Sequence, residues 1–202
     1  MKKIMFILLI VASVSVFATG NIGKLEIGDE AVLTEVKMED ISGVKISLDD
    51  AKKENGILVL FSCNTCPFVL KWESRYPDLK AWADKNNVGM VVLNSNHQKH
   101  QSSESLESME IHAKEKGYNF YYLLDKESAI ANAFGGQTTP HAFLFNGNMQ
   151  LAYKGAIDDS YKDANDVKQA YLKDVISDLS AGKEIAVTET NPVGCSIKRK
   201  LD

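Results

Sequence analysis

The sequence predicts an α/β protein in which helices cover both faces of a central sheet. Three observations carry this. Ile57-Leu58-Val59-Leu60-Phe61 and Val88-Gly89-Met90-Val91-Val92-Leu93 are nearly continuous apolar runs of strand length, as strands buried on both sides require. Stretches with apolar residues at helical spacing follow each of them. Near the end, Asn146-Gly147-Asn148 joins two further strand-like runs, and an Asn-Gly turn between apolar runs is a strong hairpin signal. With 202 residues, 45% of them hydrophobic and 25% charged, the chain has the composition of one globular domain with a sizeable core.

In chain order, residues 24–36 are mixed, with a turn at Gly28-Asp29, and Val44-Lys45-Ile46-Ser47-Leu48 alternates as a short strand does. A brief helix fits Leu48 to Asn55, stopped by Gly56 ahead of the buried strand Ile57–Ser62. Val69, Trp72, Tyr76, Leu79 and Trp82 then mark an amphipathic helix, bent or divided at Pro77. The strand Val88–Asn94 leads into polar His97–Ser105, expected as a surface loop. Leu106, Met109 and Ala113 give the next helix its buried stripe, ending near Gly117. Tyr121–Leu124 reads as a strand, and Asp125 is placed to cap a helix running to Phe134 and ending at Gly135-Gly136. His141–Phe145 and Met149–Tyr153 form the hairpin, and Val167, Tyr171, Val175, Ile176 and Leu179 place a last helix before Gly182. The domain therefore spans 24–182, and 183–202 form an irregular tail that carries Cys195.

Charge excludes one class of partner. The net charge is -4 and no Lys/Arg block stands in the body of the chain, so nucleic acid is not an expected partner. Lys198-Arg199-Lys200 reads as a solvated terminus. At the other end, Lys2 and Lys3 precede an apolar run from Ile4 to Phe17, and Val16-Phe17-Ala18 suits a signal peptidase. Residues 1–18 are expected to be a cleaved secretory signal, since the run is about 14 residues and a membrane-spanning helix needs about 20. No stable membrane anchor is expected after cleavage. The mature protein is expected to be exported, periplasmic or otherwise extracytoplasmic, where disulfides persist.

The chemistry concentrates at Cys63-Asn64-Thr65-Cys66-Pro67, directly after the buried strand. A thiol reacts as thiolate, and a helix N-terminus lowers its pKa because unpaired N–H groups and the macrodipole favour negative charge. Cys63 is expected there as the attacking thiol. Cys66, one helical turn on, is placed to resolve a mixed disulfide. A zinc site needs a second ligand pair, and Cys195 with His97, His100, His112 and His141 supplies none at a familiar spacing, so neither metal nor cofactor is expected. A static staple is equally disfavoured, because so short a loop constrains the unfolded chain little. Thr138-Thr139-Pro140-His141 is the second element. A cis Pro140 would leave backbone groups of Thr139 unpaired, able to dock an extended substrate by strand addition, whereas spacing alone favours a trans turn proline. Cys195 is either an extra resolving thiol or an inert buried side chain. Asp158-Asp159 is either a metal or substrate site or a loop that caps the following helix.

Six blocks in order extend this reading. They are Phe61-Ser62-Cys63-Asn64-Thr65-Cys66-Pro67-Phe68-Val69, Leu93-Asn94-Ser95-Asn96, Tyr122-Leu123-Leu124-Asp125, Thr139-Pro140-His141-Ala142-Phe143-Leu144-Phe145, Tyr153-Lys154-Gly155-Ala156-Ile157-Asp158-Asp159 and Gly194-Cys195-Ser196-Ile197-Lys198. Over residues 27–200 the chain resembles the thioredoxin superfamily, and within it the peroxiredoxin-like branch of AhpC/TSA-type redoxins. The resemblance implies a thioredoxin fold with a central mixed sheet, Cys63 as reactive thiol, Cys66 as its partner and Pro140 in cis. The departures bear on mechanism. A typical peroxiredoxin has Thr or Ser three positions before its peroxidatic cysteine; here Leu60 precedes Cys63, and Cys63 precedes Cys66. Thioredoxin has a buried carboxylate on the preceding strand, while Ile57–Phe61 is wholly apolar, which leaves His141 and Glu73 as candidate proton carriers.

The sequence thus points first to an exported thiol-disulfide oxidoreductase that reduces or exchanges disulfides through Cys63 and Cys66, with Thr139 and Pro140 binding substrate. Its expected partners are thiol or disulfide-containing proteins and a redox donor protein. A thiol-dependent peroxidase is the second reading. A copper-handling protein is the third, since thiolates with one imidazole, here His141, suit copper.

Overall fold

The computed structural model describes residues 23–200, so the expected signal at 1–18 lies outside the described residues. The elements in order are β1 (Met38–Asp40), β2 (Lys45–Ile46), α1 (Leu48–Ala51), β3 (Gly56–Ser62), α2 (Pro67–Trp72), α3 (Tyr76–Lys85), β4 (Gly89–Asn94) and α4 (Leu106–Lys116). They continue with β5 (Tyr121–Leu124), α5 (Ala129–Phe134), β6 (Thr138–Thr139), β7 (His141–Asn146), β8 (Leu151–Gly155), α6 (Tyr171–Ser180) and β9 (Cys195–Ser196).

Seven strands form one mixed sheet in the order β2-β1-β5-β4-β3-β7-β8. β3, β4 and β5 run parallel through helical crossovers, whereas β7 pairs antiparallel with both β3 and β8. The apolar run of β3 explains its central place, because strict alternation sends Leu58 and Leu60 to one face and Ile57, Val59 and Phe61 to the other. The first face packs under α3, α4 and α6 through Leu79, Met109 and Ile176. The second packs under α1 and α5 through Leu48, Ile130 and Phe134. This is the layering that the element order predicts, helices on both faces of the sheet, and the thioredoxin-like fold that the resemblance implies.

Two local departures from the sequence reading have clear causes. The helix after the cysteines divides at a 3-10 turn over Glu73–Arg75, ahead of Pro77, and Pro77 sits in the first turn of α3. Proline has no N–H to give the carbonyl four residues back, so the chain tightens before it and restarts on it. Asp125 does cap a helix, but over a longer reach: it accepts from the Ile130 and Ala131 amides while a 3-10 turn occupies Lys126–Ser128. Among the described residues no helix is long and apolar enough to cross a membrane.

The tail is irregular but held against the domain. Thr190 bonds Tyr153 and the Ala156 amide, Ile197 N–H donates to Gln137, and Lys198 N–H donates to Asn96 Oδ1 at 2.8 Å. Lys198-Arg199-Lys200 is therefore not merely solvated, since the Arg199 guanidinium bonds Asn132 and the Gly136 carbonyl.

Candidate functional site: three thiols around Thr139

The site lies where β3 ends and β7 begins, two antiparallel neighbours with Phe61 opposite His141. Ser62 closes β3 and the chain turns through Cys63-Asn64-Thr65 before α2 starts at Pro67, with Cys66 as its N-cap residue. Here the expectation is corrected: Cys66, not Cys63, stands at the helix N-terminus. The reason is Pro67, whose fixed φ and missing N–H suit the first helical position and so set the start one residue past Cys66.

The loop rests on a buried carboxylate. Glu104, fully buried, accepts from Asn64 N–H at 2.7 Å, Thr65 N–H at 3.2 Å, Thr65 Oγ1 at 2.7 Å and Asn94 Nδ2 at 2.7 Å. Tyr122 O–H donates to Asn64 Oδ1 at 2.8 Å and completes the cradle. Sequence reading missed Glu104, because it lies in the polar stretch expected at the surface. That expectation fails for Glu104 and His100, both buried, and for the absence of a buried acid near the motif. The acid comes from a loop after β4 instead of from β3.

The predicted proton carriers are elsewhere. Glu73 is buried against His112 Nε2 at 2.7 Å and Lys116 Nζ at 2.6 Å; burial pulls its pKa upward, and those two partners outweigh it and hold the carboxyl low. His141 accepts the Gln137 amide on Nδ1 at 3.1 Å and packs on Phe143; burial, helped by the Lys154 charge, drives its pKa down to about 3. It is a neutral ring bonded away from the thiols. Asp158 ion-pairs with Arg75 and accepts the Ser160 amide, and Asp159 accepts the Lys168 amide, so the pair organises a loop rather than a ligand site. Among the described residues no three His, Cys, Asp or Glu side chains are grouped to hold a metal ion, and no imidazole bonds to the cysteines.

Thr139 gathers the thiols. The Thr139-Pro140 peptide is cis, as the resemblance implies. Cys63 Sγ lies 3.4 Å from Thr139 Oγ1, and the Cys66 thiol donates to the Thr139 carbonyl at 3.2 Å. The third cysteine is here too. β9 pairs antiparallel with β6, setting Cys195 opposite Thr139, and Cys195 packs against the cluster formed by Cys63, Cys66 and Val69. Strand addition at Thr139 thus happens within the chain, which corrects the expectation of unpaired backbone groups there. Gly194 permits the approach, because a Cβ at that position would lie 2.2 Å from the Thr139 carbonyl oxygen. Cys195 is half-buried beside this cluster.

Hydrogen bonding in this cluster favours the thiolate form of Cys66 over that of Cys63. The Cys63 S–H donates to it, the Cys195 S–H and the Val69 amide add to this, and together they outweigh burial and bring its pKa down to about 4. Cys63 moves the other way, because it supplies that proton, is buried and feels the Glu104 charge. Burial raises Cys195 as well, as does its bond to Cys66. Two cysteines packed together, one of them at a helix N-terminus, form an arrangement fit for nucleophilic exchange at sulfur.

A thioredoxin-like fold with a buried dithiol beside a cis X-Pro strand defines a redoxin. The AhpC/TSA family model matches residues 27–154, and the chain belongs to the AhpC/TSA family. Among solved structures it is similar to a hypothetical protein of Sinorhizobium meliloti 1021, at 28% identity and a TM-score of 0.80, covering 89% of this chain and 98% of that one. An uncharacterized conserved protein of Geobacillus kaustophilus is similar at 27% identity and a TM-score of 0.79, covering 88% of this chain and 94% of that one. A peroxidoxin of Mycobacterium tuberculosis shares the fold at 12% identity and a TM-score of 0.58, over 78% of this chain and 97% of that one. No curated protein matches the sequence.

Proposed function

We propose that the protein is an exported thiol-disulfide oxidoreductase in which Cys63 and Cys66 cycle between dithiol and disulfide. One arrangement carries the reading: Cys63 and Cys66 sit together against Thr139, with Cys66 as the N-cap residue of α2. The helix N-terminus favours a thiolate on Cys66, so the proposal takes Cys66 as the attacking sulfur in place of the Cys63 expected from sequence. Its thiolate attacks a partner disulfide, one partner sulfur leaves as thiolate, and Cys63 then attacks Cys66 to close the pair and release the second partner sulfur. The partners are thiol or disulfide proteins, with a donor protein restoring the dithiol. Export rests on the signal-like segment 1–18.

Peroxide reduction is the second reading, favoured by membership of the AhpC/TSA family. The geometry supports it less. Glu104 occupies the Asn64 and Thr65 amides, which would otherwise be free for a peroxide oxygen, and both arginines are engaged elsewhere, Arg75 with Asp158 and Arg199 with Asn132. Parallel assays of disulfide reduction in a model protein and of hydrogen peroxide consumption, each with Cys66→Ser as control, separate the two. Disulfide turnover that depends on Cys66 is expected. Fast, Cys66-dependent peroxide consumption without disulfide turnover would overturn the leading reading.

A further inference from the structure

We infer that Cys195 is a third redox thiol, which β9 holds at the Thr139 edge so that it resolves mixed disulfides formed on Cys66. The inference rests on Cys66 being the attacking sulfur, and it assigns the tail a role in that same site.

Three observations place Cys195 there. The β9–β6 register sets it opposite Thr139, whose carbonyl is 3.2 Å from Cys66 Sγ, and Cys195 packs directly on the Cys63–Cys66 cluster. The strand is fastened on both sides of it. Gly194 lies flush on the Thr139 carbonyl where no side chain fits, and beyond Ser196 the buried Ile197, the Lys198 amide and the Arg199 guanidinium are each bonded or packed into the domain. Finally, Cys195 is only half-buried while Cys63 is buried to 1% exposure, which leaves Cys195 the more accessible of the two thiols packed with Cys66.

The chemistry balances without a further reactant. Cys66 thiolate attacks a disulfide R–S–S–R, forming the Cys66–S–S–R bond and releasing one thiolate. Cys195, giving its proton to that leaving thiolate, attacks Cys66; the Cys66–Cys195 bond forms and the second partner sulfur leaves. Two electrons pass from the two cysteines to the partner. Cys63, passing its proton to the leaving Cys195 sulfur, can then attack Cys66, forming Cys63–Cys66 and restoring the Cys195 thiol.

The test uses the full chain and oxidised glutathione, with acid quenching, alkylation and peptide mass mapping. Cys63→Ser, or Cys63→Ala where serine impairs folding by circular dichroism, is expected to close a Cys66–Cys195 disulfide. Bridged protein should exceed glutathionylated protein at least about tenfold at about 0.1 mM glutathione, because a neighbouring thiol acts at an effective concentration in the millimolar range or higher. Adding Gly194→Val should undock the tail and reverse that ratio although Cys195 is still present. Glutathione retained on Cys66 with Cys195 free in Cys63→Ser overturns the inference, as does full bridging with Gly194→Val. Cys195→Ser tests the underlying reading separately: if it cannot close Cys63–Cys66, the dithiol assignment itself is wrong.

Discussion

Replacing Glu104 by alanine distinguishes a buried structural acid from the surface-loop residue its sequence neighbourhood suggests. The carboxylate accepts four bonds, and the two donors left deepest are Asn64 N–H and Asn94 Nδ2, each at 2.7 Å. A buried donor deprived of its partner costs about 1–3 kcal/mol, while the Thr65 groups can turn to water. Glu104→Ala should therefore lower the stability of the reduced protein by about 3–5 kcal/mol, read by urea unfolding with an unchanged m-value. Glu104→Gln keeps the shape and removes the charge that helps hold Cys63 protonated, so it should cost less and make Cys63 more acidic. A loss below about 0.5 kcal/mol for the alanine variant, the size of an ordinary surface change, would refute the cradle.

Further outcomes follow from the same contacts. With Cys66 held down to about 4 and Cys63 held up, the dithiol binds one proton between pH 5 and 8. Its reduction potential should then fall by about 30 mV per pH unit across that window, whereas an unperturbed pair would fall by about 60. The same shift makes the reduced fold gain stability as pH rises above about 4 toward the ordinary thiol value of 9.0, and lose it as pH drops through about 4, which acid unfolding curves against Cys66→Ser would show. His141→Asn should leave the pH profile of Cys66 alkylation unchanged, since the ring bonds Gln137 and not the thiols. Asp158→Ala strands the half-buried Arg75 guanidinium and should cost about 1–3 kcal/mol while leaving the dithiol potential unaltered.

Much of the fold was legible because it is encoded locally. The runs Ile57–Phe61 and Val88–Leu93 are apolar on both faces, as only central strands of a covered sheet need to be, and Asn146-Gly147 marks its hairpin without any tertiary information. The cysteine pair was legible for the same reason, with strand, motif and Pro67 adjacent in sequence. What stayed hidden depends on distant partners. Glu104 meets Asn64 across 40 positions, and the surrounding Ser and Gln residues are what a solvated loop would have. Cys195 reaches Thr139 only because a two-residue strand pairs with another of two residues, too short for alternation to reveal. The role of Cys66 turned on where the helix starts, three residues later than expected, which Pro67 decides.

The most direct measurement is a redox titration of the wild type, Cys63→Ser, Cys66→Ser and Cys195→Ser, with free thiols trapped and assigned by mass. Cys195→Ser is expected to retain one two-electron couple that consumes Cys63 and Cys66 together, and Cys66→Ser to abolish every intramolecular couple, because Cys66 stands between the other two thiols. A disulfide that still closes between Cys63 and Cys195 without Cys66, or a wild type in which Cys63 and Cys66 stay reduced while another pair oxidises, would contradict the account.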